Sequence, residues 1–275
     1  MLLSVDTEKC NRDGICVEAC GRRIIVMKDQ DAVPTSVARA GELCSQCGHC
    51  VAVCPTGALS WDNMKSEDCS DIREDLMISA EQAEQFIRSR RSTRIYRDKP
   101  VERDKLNKLI QIAGYAPSGH NARPVHLLVV EGSKEIRQVS GLVLDWMQLM
   151  IKDDPALAEF FSIDRLLGIW NKGGDPICRD APDIIIAHAP SVGTAREDCI
   201  LALAYMELAA GSLGLGATWA GYVMGAARSY PPLINTLNIP EGHKCLGVLM
   251  VGYPAMNFVR MPLRNPPPVK WYGSE

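Results

Sequence analysis

The sequence predicts a chain in two parts, a small cysteine-rich head followed by a larger body that contains both helices and strands. Seven of the eleven cysteines lie between Cys10 and Cys54, and only four follow. In the body, Leu106, Leu109 and Ile110 recur at helical spacing, while the continuous apolar run over residues 246–251 is typical of a buried strand. A chain of 275 residues is long enough for two modest domains.

The composition along the chain predicts the domain bounds and the cellular compartment. We predict an iron–sulfur head over residues 1–62, an acidic, weakly patterned linker over residues 63–79 and a body over residues 80–275. The net charge of -3 argues against a nucleic-acid binder. No apolar run approaches the roughly 18 residues of a membrane helix, and the N-terminus lacks the pattern of a signal peptide. We therefore expect a cytoplasmic protein that binds neither nucleic acid nor membrane.

The clearest motif in the head is the run Cys44-x₂-Cys47-x₂-Cys50-x₃-Cys54-Pro55. This is the spacing of bacterial ferredoxins, in which three thiolates hold one [4Fe–4S] cluster and the fourth cysteine reaches another cluster. Structural zinc is the alternative, but it usually uses two well-separated pairs of ligands. The sequence therefore predicts an iron–sulfur site, which also makes the domain ferredoxin-like.

A second, imperfect copy of this motif lies upstream. It contains Cys10, Cys16 and Cys20, and its spacing matches if Asp13 occupies the second ligand position. Two half-repeats predict two clusters, one held by Cys20, Cys44, Cys47 and Cys50 and the other by Cys10, Asp13, Cys16 and Cys54. Because a carboxylate is a harder ligand than a thiolate, the second cluster is either an Asp-ligated [4Fe–4S] or a [3Fe–4S] cluster. The four other cysteines are expected to be ordinary thiols.

In the body, a capping box at Ser79 and Gln82 predicts the start of a helix. That helix leads into the basic segment Arg90–Arg97, which is either a solvated charged face or a phosphate clamp of arginine forks. After a second helix, the polar loop over residues 116–124 precedes a predicted strand over residues 125–130. A polar loop between two rigid elements favours a ligand site.

Four motifs, in order along the chain, resemble those of the nitroreductase family of FMN-dependent oxidoreductases. The resemblance covers roughly residues 80–271 and rests on RRSTRIY from Arg90, APSGHNARP from Ala116, LGLGATWAGY from Leu213, and the closing segments around Val251, Arg260 and Val269. Arg123 and Val125 depart from the commonest residues of the family.

The resemblance implies an α+β fold with a central, mostly antiparallel sheet flanked by helices, and an intertwined homodimer that binds FMN between its subunits. It also implies a set of FMN-binding residues around the phosphate, the ribityl chain and the flavin ring: Arg90, Arg91, Ser92, Arg94, Pro117, Ser118, Asn121, Ala220, Gly221, Arg260 and Arg264. It assigns no catalytic residue, because the flavin carries the chemistry.

These features together predict an iron–sulfur flavoprotein oxidoreductase that passes electrons from its clusters to FMN and on to a small organic acceptor, such as a nitroaromatic or a quinone. The donor is NAD(P)H or a reduced ferredoxin, and no dedicated dinucleotide-binding motif is evident. The alternative is an electron-transfer or redox-sensing protein that has a protein partner and no small-molecule substrate. An enclosed cavity beside the flavin would favour the enzyme.

Overall fold

The structure of the chain, a computed structural model, describes residues 3–153 and 155–273. It divides into two compact units. The first unit consists of Met1–Met77 together with His120–Ala122, and the second consists of Ile78–Gly119 and Arg123–Glu275. None of the helices in the described ranges combines the length and the hydropathy that a membrane span requires.

The first unit is built from short elements around a small apolar core. Its strands are β1 (Leu3–Val5), β2 (Ile25–Val26), β3 (Thr35–Ser36) and β4 (Leu59–Trp61), and its helices are α1 (Ile15–Glu18), α2 (Ala40–Leu43) and α3 (His49–Ala52). Strand β1 pairs with β4 and β2 pairs with β3, both antiparallel. Ile25, Leu59 and Val51 are almost completely buried and pack against the cysteines.

The two half-motifs of this unit fold alike. Helix α1 follows Gly14 and helix α3 follows Gly48, and both glycines adopt a left-handed conformation with φ of 73° and 76°. This conformation is strained for residues with a side chain, so glycine suits both positions. The same turn therefore presents a cysteine at the second position of each short helix, Cys16 and Cys50.

The second unit is an antiparallel four-stranded sheet with helices on both faces. Its strands are β5 (His126–Glu131), β6 (Asp183–Pro190), β7 (Gly216–Trp219) and β8 (His243–Gly252), in the order β5-β6-β8-β7. Its helices are α4 (Ala80–Ser89), α5 (Arg103–Ala113), α6 (Ser133–Asp153), α7 (Pro155–Phe160), α8 (Ile163–Asn171), α9 (Ala195–Ala210), α10 (Gly221–Ser229) and α11 (Pro231–Thr236). The predicted α+β fold is confirmed.

Strand β6 is buried on both faces, which explains why it reads as a continuous apolar run. Ile184 and Ile186 point into the core beneath α6, α10 and α11, whereas Ile185 and Ala187 point into the core beneath α5 and α9. All four residues have no exposed surface. The sheet is thus the middle layer of three.

Helices α4 and α9 can be compared with the sequence patterns that form them. The capping box at the start of α4 is present, because Ser79 Oγ accepts from the Gln82 amide at 3.2 Å and Gln82 Oε1 accepts from the Ser79 amide at 2.8 Å. The apolar run of residues 200–210 forms most of α9, but it is not buried all round. Leu201 and Tyr205, four residues apart on one face, remain more than a third exposed in the single chain.

Candidate functional site

The thiols of the first unit interact in two groups, and the first group surrounds Cys16. Burial raises the pKa of the Cys16 thiol, and negative charge on Cys54, Cys10 and Asp13 raises it further. These four side chains come from both half-motifs, and the other three lie close enough to Cys16 to raise its pKa. They are the residues predicted to hold the Asp13-containing cluster.

The second group surrounds Cys50. Burial raises the pKa of this thiol to about 11, and charge on Cys47 and Cys20 contributes in the same direction. Cys20 again comes from the other half-motif. Such mutual repulsion between thiolates is relieved when a cationic metal centre takes them as ligands, because coordination removes their protons.

Hydrogen bonds in this unit are directed at cysteine sulfurs. Burial acts to raise the pKa of Cys54, but the hydroxyl of Thr56 and the backbone amides of Thr56, Ala58 and Leu59 outweigh it and lower the pKa. The Gln46 amide donates to Cys44 Sγ at 3.3 Å. Donors that stabilise thiolates suit an iron–sulfur centre, whose potential depends on such bonds.

The chemistry of this donor set therefore fits iron–sulfur clusters. Six thiols and one carboxylate lie in two groups on a small unit, and Cys44 accepts a backbone hydrogen bond beside them. Among the described residues, no three His, Cys, Asp or Glu side chains are grouped to hold a single metal ion.

Asn121, predicted to lie beside the flavin, belongs to the first unit in the structure. Its side-chain amide donates to the carbonyl oxygens of Ser45 and Gln46, each at 3.0 Å. These two residues lie between the predicted ligands Cys44 and Cys47. Asn121 thus holds the turn between these two predicted ligands, and its predicted contact with the flavin stays a prediction.

In the second unit, the basic segment begins where α4 ends. Arg90 pairs with Glu207, with 2.9 Å between Nη1 and Oε1. Arg91 donates through Nη1 to the carbonyl oxygens of Arg88 and Arg90, while its buried Nε has no hydrogen-bond partner among the described residues. A buried guanidinium nitrogen without an acceptor suits a site that receives an anion.

Thr93 anchors this segment to the sheet. Its amide donates to the Ala217 carbonyl of β7 at 3.1 Å, and its side chain is buried against Gly216. A Cβ atom on Gly216 would lie 2.1 Å from Thr93 Oγ1, so only glycine permits this close approach. The anchor leaves Ser92 half-buried and Arg94 exposed on either side of it.

The polar loop after α5 is fixed on the body side at Gly119. The buried carboxylate of Asp198 accepts from the Gly119 amide and from Thr194 Oγ1, both at 3.1 Å. Ser118 Oγ accepts from the Arg123 amide at 3.0 Å, and Pro117 is exposed. Pro117 and Ser118, predicted to lie beside the flavin, thus sit on a stretch that is pinned to the start of α9.

A cavity of about 390 Å³ lies in the second unit, within the size range of small-molecule sites. Its walls are mostly aromatic, aliphatic and methionine side chains. Two guanidinium groups, those of Arg94 and Arg179, also line it, and among the described residues no acidic side chain does. The cavity is therefore suited to a planar, electron-poor or anionic molecule.

The predicted residues Ala220 and Gly221 form part of this wall, where β7 gives way to α10. A Cβ atom on Gly221 would meet nothing within 4 Å, so the space above its backbone is open. Arginines, a buried nitrogen without an acceptor, and a cavity floored by small residues together fit FMN. By contrast, Arg260 and Arg264 lie exposed on the C-terminal segment, outside any helix or strand.

The pattern of residues did not reveal three members of this site. Glu207, on α9, accepts from Arg90 and also from Trp219 Nε1 at 3.1 Å. Trp219 and Arg179 line the cavity. Glu207 lies in an apolar helical run and has no charged neighbour in sequence. The one signal that the sequence offers is a single acidic residue within that apolar run.

Three histidines lie close together near one end of the adjacent strands β5, β6 and β8. The rings of His126, His188 and His243 have centroids 4.9 to 5.5 Å apart, and Nδ1 of His188 lies 2.9 Å from Nδ1 of His243. Burial lowers the pKa of His188, and the neighbouring His243 and His126 lower it further. Both effects favour the neutral form of His188.

Three cysteines of the body are buried thiols far from any ligand spacing. Burial raises the pKa of Cys178 to about 12, of Cys199 to about 12 and of Cys245 to about 11. Thiols with such pKa values are protonated at neutral pH and unreactive. They behave as small apolar residues of the core.

Comparison with known proteins identifies both parts of the chain. The sequence model of the nitroreductase family matches residues 87–253, and that of the 4Fe-4S binding domain matches residues 41–60. The chain is 30% identical over 165 residues to the iodotyrosine deiodinase of Thermotoga neapolitana, which is 58% of this chain and 82% of that protein.

Two further similarities agree with this. The chain is 28% identical over 177 residues to an FMN reductase [NAD(P)H] of Bacillus subtilis, covering 62% of this chain and 66% of that protein. Among solved structures, an FMN-bound nitroreductase of Bacteroides fragilis superimposes with a TM-score of 0.53 at 26% identity, covering 68% of this chain and 93% of that chain.

Proposed function

The chain belongs to the nitroreductase family, and we propose that within it this protein passes electrons from two iron–sulfur clusters to FMN and on to a small organic acceptor. It is an FMN-dependent oxidoreductase with a 4Fe-4S binding domain at its N-terminus. The acceptor is a nitroaromatic, a quinone or a similar electron-poor molecule.

One observation carries the proposal: a single chain holds two electrostatically coupled groups of thiols and an arginine-lined cavity. Iron–sulfur clusters transfer single electrons, whereas FMN, when bound, exchanges electrons one or two at a time with its partners. The combination suits a protein that collects electrons singly and delivers them in pairs.

The charge effects on Cys16 and Cys50 support the assignment of ligands that the sequence predicts. We propose that Cys20, Cys44, Cys47 and Cys50 hold a [4Fe–4S] cluster, and that Cys10, Cys16 and Cys54 with Asp13 hold either a [4Fe–4S] or a [3Fe–4S] cluster. The effect of Cys54 on the pKa of Cys16 and of Cys20 on the pKa of Cys50 supports ligation across the two half-motifs.

For FMN, we propose that Arg90, Arg91, Ser92 and Arg94 hold the phosphate and ribityl chain on one protomer. Ala220 and Gly221 give the ring a close approach, and Pro117 and Ser118 lie beside it. Arg260 and Arg264 complete the phosphate site. The arginine and serine side chains would bind and orient the cofactor, and the arginines would neutralise the charge of its phosphate. The apolar walls of the cavity would exclude water from it.

The cavity favours the enzyme over a pure electron carrier. A carrier needs only an exposed flavin edge, whereas this cavity is large enough for a ring and is lined by aromatic side chains and by Arg94 and Arg179. The two positive charges would orient a nitro or quinone oxygen of the acceptor.

We further propose that the protein is a cytoplasmic homodimer. Leu201 and Tyr205 of α9 leave an apolar face exposed in one chain, and Leu263 and Trp271 of the C-terminal segment are 95% and 90% exposed. Side chains of this kind are normally covered, and a second copy of the chain would cover them.

The test is an anaerobic preparation in which iron and FMN are counted and the protein is titrated with NADH, NADPH and reduced ferredoxin. Visible and electron paramagnetic resonance spectra are recorded together. We expect one FMN and about eight irons per chain, or about seven if the Asp13 site has lost one. Absence of iron or of FMN would overturn the corresponding half of the proposal.

A Cys50→Ser variant is the matched control for the electron path. If the clusters deliver electrons to the flavin, ferredoxin reduces the flavin of the wild type and not that of the variant. If NAD(P)H reduces both equally, the flavin accepts hydride directly and the clusters are not the entry point.

A further inference from the structure

Glu207 connects the two ends of the proposed flavin site. One carboxylate oxygen accepts from Arg90 Nη1 at 2.9 Å and the other accepts from Trp219 Nε1 at 3.1 Å. The Glu207 side chain is only 10% exposed, so both bonds form away from bulk water. Each oxygen thus has a defined donor, which fixes the orientation of the carboxylate.

The two donors lie on separate elements that reach the site from different directions. Arg90 caps the C-terminal end of α4 and opens the basic segment. Trp219 is the last residue of β7, directly before Ala220 and Gly221, and it lines the cavity. Glu207 holds these elements in register from α9, which packs against the same sheet.

Close packing reinforces the position of Trp219. The strand opposite β7 has Gly247 where the indole lies, and a Cβ atom there would come within 3.3 Å of the Trp219 ring. The ring is therefore confined between β8 and the Glu207 carboxylate. Its N–H has one acceptor, and its face forms part of the cavity wall.

The charge of Glu207 also matters. A carboxylate buried to this extent is costly unless it is paired, and Arg90 is its partner. Because Glu207 engages Nη1, it restrains the position of the guanidinium and leaves its other nitrogens for a second acceptor. A phosphate group needs such a pre-oriented fork.

We infer that Glu207 is a positioning residue of the FMN site, which sets Arg90 for the phosphate and Trp219 for the ring. This inference rests on the proposed FMN site. It predicts that Glu207 affects FMN binding without contacting FMN, and that its effect depends on Arg90.

The test is a double-mutant cycle on the full-length chain, with Glu207→Gln, Arg90→Gln and both together. The dissociation constant of FMN is measured by flavin fluorescence quenching after the cofactor has been removed and added back. Glutamine offers one acceptor oxygen to two donors, so one bond is lost. We expect Glu207→Gln to weaken FMN binding about tenfold, the size of one charge-assisted hydrogen bond.

The decisive measurement is how far the effects of the two substitutions on FMN affinity depart from additivity. In the Arg90→Gln background, the further change Glu207→Gln should weaken binding by less than about twofold, because Arg90 is gone and Glu207 can act only through Trp219. Glu207→Asp keeps the charge and should recover part of the affinity. Urea unfolding of each variant checks that the chain folds, and Trp219→Phe separates the indole bond from the arginine bond.

The outcomes separate the inference from the proposed function. Additive effects in the cycle, or unchanged FMN affinity in a folded Glu207→Gln variant, would overturn the role of Glu207. If wild-type protein binds no FMN, or if Arg90→Gln and Arg94→Gln both bind it as wild type does, the proposed site itself is wrong.

Discussion

At the scale of single residues, His188 is a group whose pKa differs between the folded and the unfolded chain. It is buried beside His126 and His243, and both burial and these two rings lower its pKa. The folded state therefore binds a proton at His188 less readily than the unfolded state. The stabilisation is fully present above the ordinary histidine pKa of about 6.5 and is lost as pH falls through the lowered pKa.

We expect the free energy of unfolding to fall more steeply between about pH 7 and pH 5 in the wild type than in His188→Asn, which cannot be protonated. Urea unfolding followed by tryptophan fluorescence measures both slopes. Acid loss of iron affects both proteins alike, so the difference between them isolates His188. Equal slopes would show that His188 titrates normally.

Asn121 yields a prediction that separates two roles. Its two bonds to Ser45 and Gln46 hold the turn in which the Gln46 amide donates to Cys44. Donors to cluster sulfurs stabilise the reduced, more negative state. We expect Asn121→Ala to lower the potential of that cluster by roughly tens of millivolts, measured by a potentiometric titration monitored by electron paramagnetic resonance.

Ser118→Ala serves as the control, since it alters the same loop on the body side and should leave the cluster potential unchanged. Weakened FMN binding in Asn121→Ala, with an unchanged cluster potential, would instead support the flavin contact expected from the sequence.

Residue types and spacing predicted the thiols and arginines, because metal and phosphate ligation limit which residues can serve. They could not predict Glu207 or Arg179. Both reach the site through tertiary contacts between elements far apart in the chain, and a single acid or base carries no periodic signal. The same holds for the hydrogen bonds of Asn121.

At the scale of elements, strand β6 lies between β5 and β8, and its side chains pack into the cores on both faces of the sheet. Ile186 has no exposed surface and lies beneath α6 and α10. We expect Ile186→Ala to lower the free energy of unfolding by about 2–5 kcal/mol, since it removes buried methyl groups and leaves a cavity. Urea unfolding measures it.

Ile72→Ala is the matched control, because the same side chain there is 86% exposed. We expect it to change the free energy of unfolding by less than about 0.5 kcal/mol. A loss at Ile186 as small as that at Ile72 would contradict the layered core described above.

Local signals predicted elements well where they were strong. The capping box at Ser79 and the apolar runs over residues 183–187 and 246–251 correspond to α4, β6 and β8. Such local signals do not predict the strand order β5-β6-β8-β7, since pairing between distant strands depends on the whole core. The long helix α6 occupies part of a segment without a recognisable motif.

At the scale of the whole molecule, the exposed C-terminal segment yields a prediction about assembly. It carries Arg260 and Arg264 together with Leu263 and Trp271, all exposed in one chain. We expect deletion of residues 256–275 to produce a monomer with FMN affinity weakened at least about tenfold, because both the covered apolar area and the phosphate ligands are lost. Light scattering after gel filtration gives the mass.

Arg264→Ala in the full-length chain separates the two effects, since it should weaken FMN binding and leave the dimer intact. A truncated chain that remains dimeric would remove the segment from the interface. The domain bounds at residues 62 and 80 stay predictions, because composition marks where a linker begins less sharply than contacts do.

The buried thiols of the body determine how this molecule would age in air. Peroxide attacks thiolates far faster than thiols, so Cys178, Cys199 and Cys245, with their high pKa values and no access to solvent, are spared. Of the seven cysteines proposed as cluster ligands, all except Cys16 are at least partly accessible, and as ligands they would be thiolates. Oxidative injury would therefore strip iron from the head and leave the body folded, a kind of damage that reassembly of the clusters can repair without synthesis of a new chain.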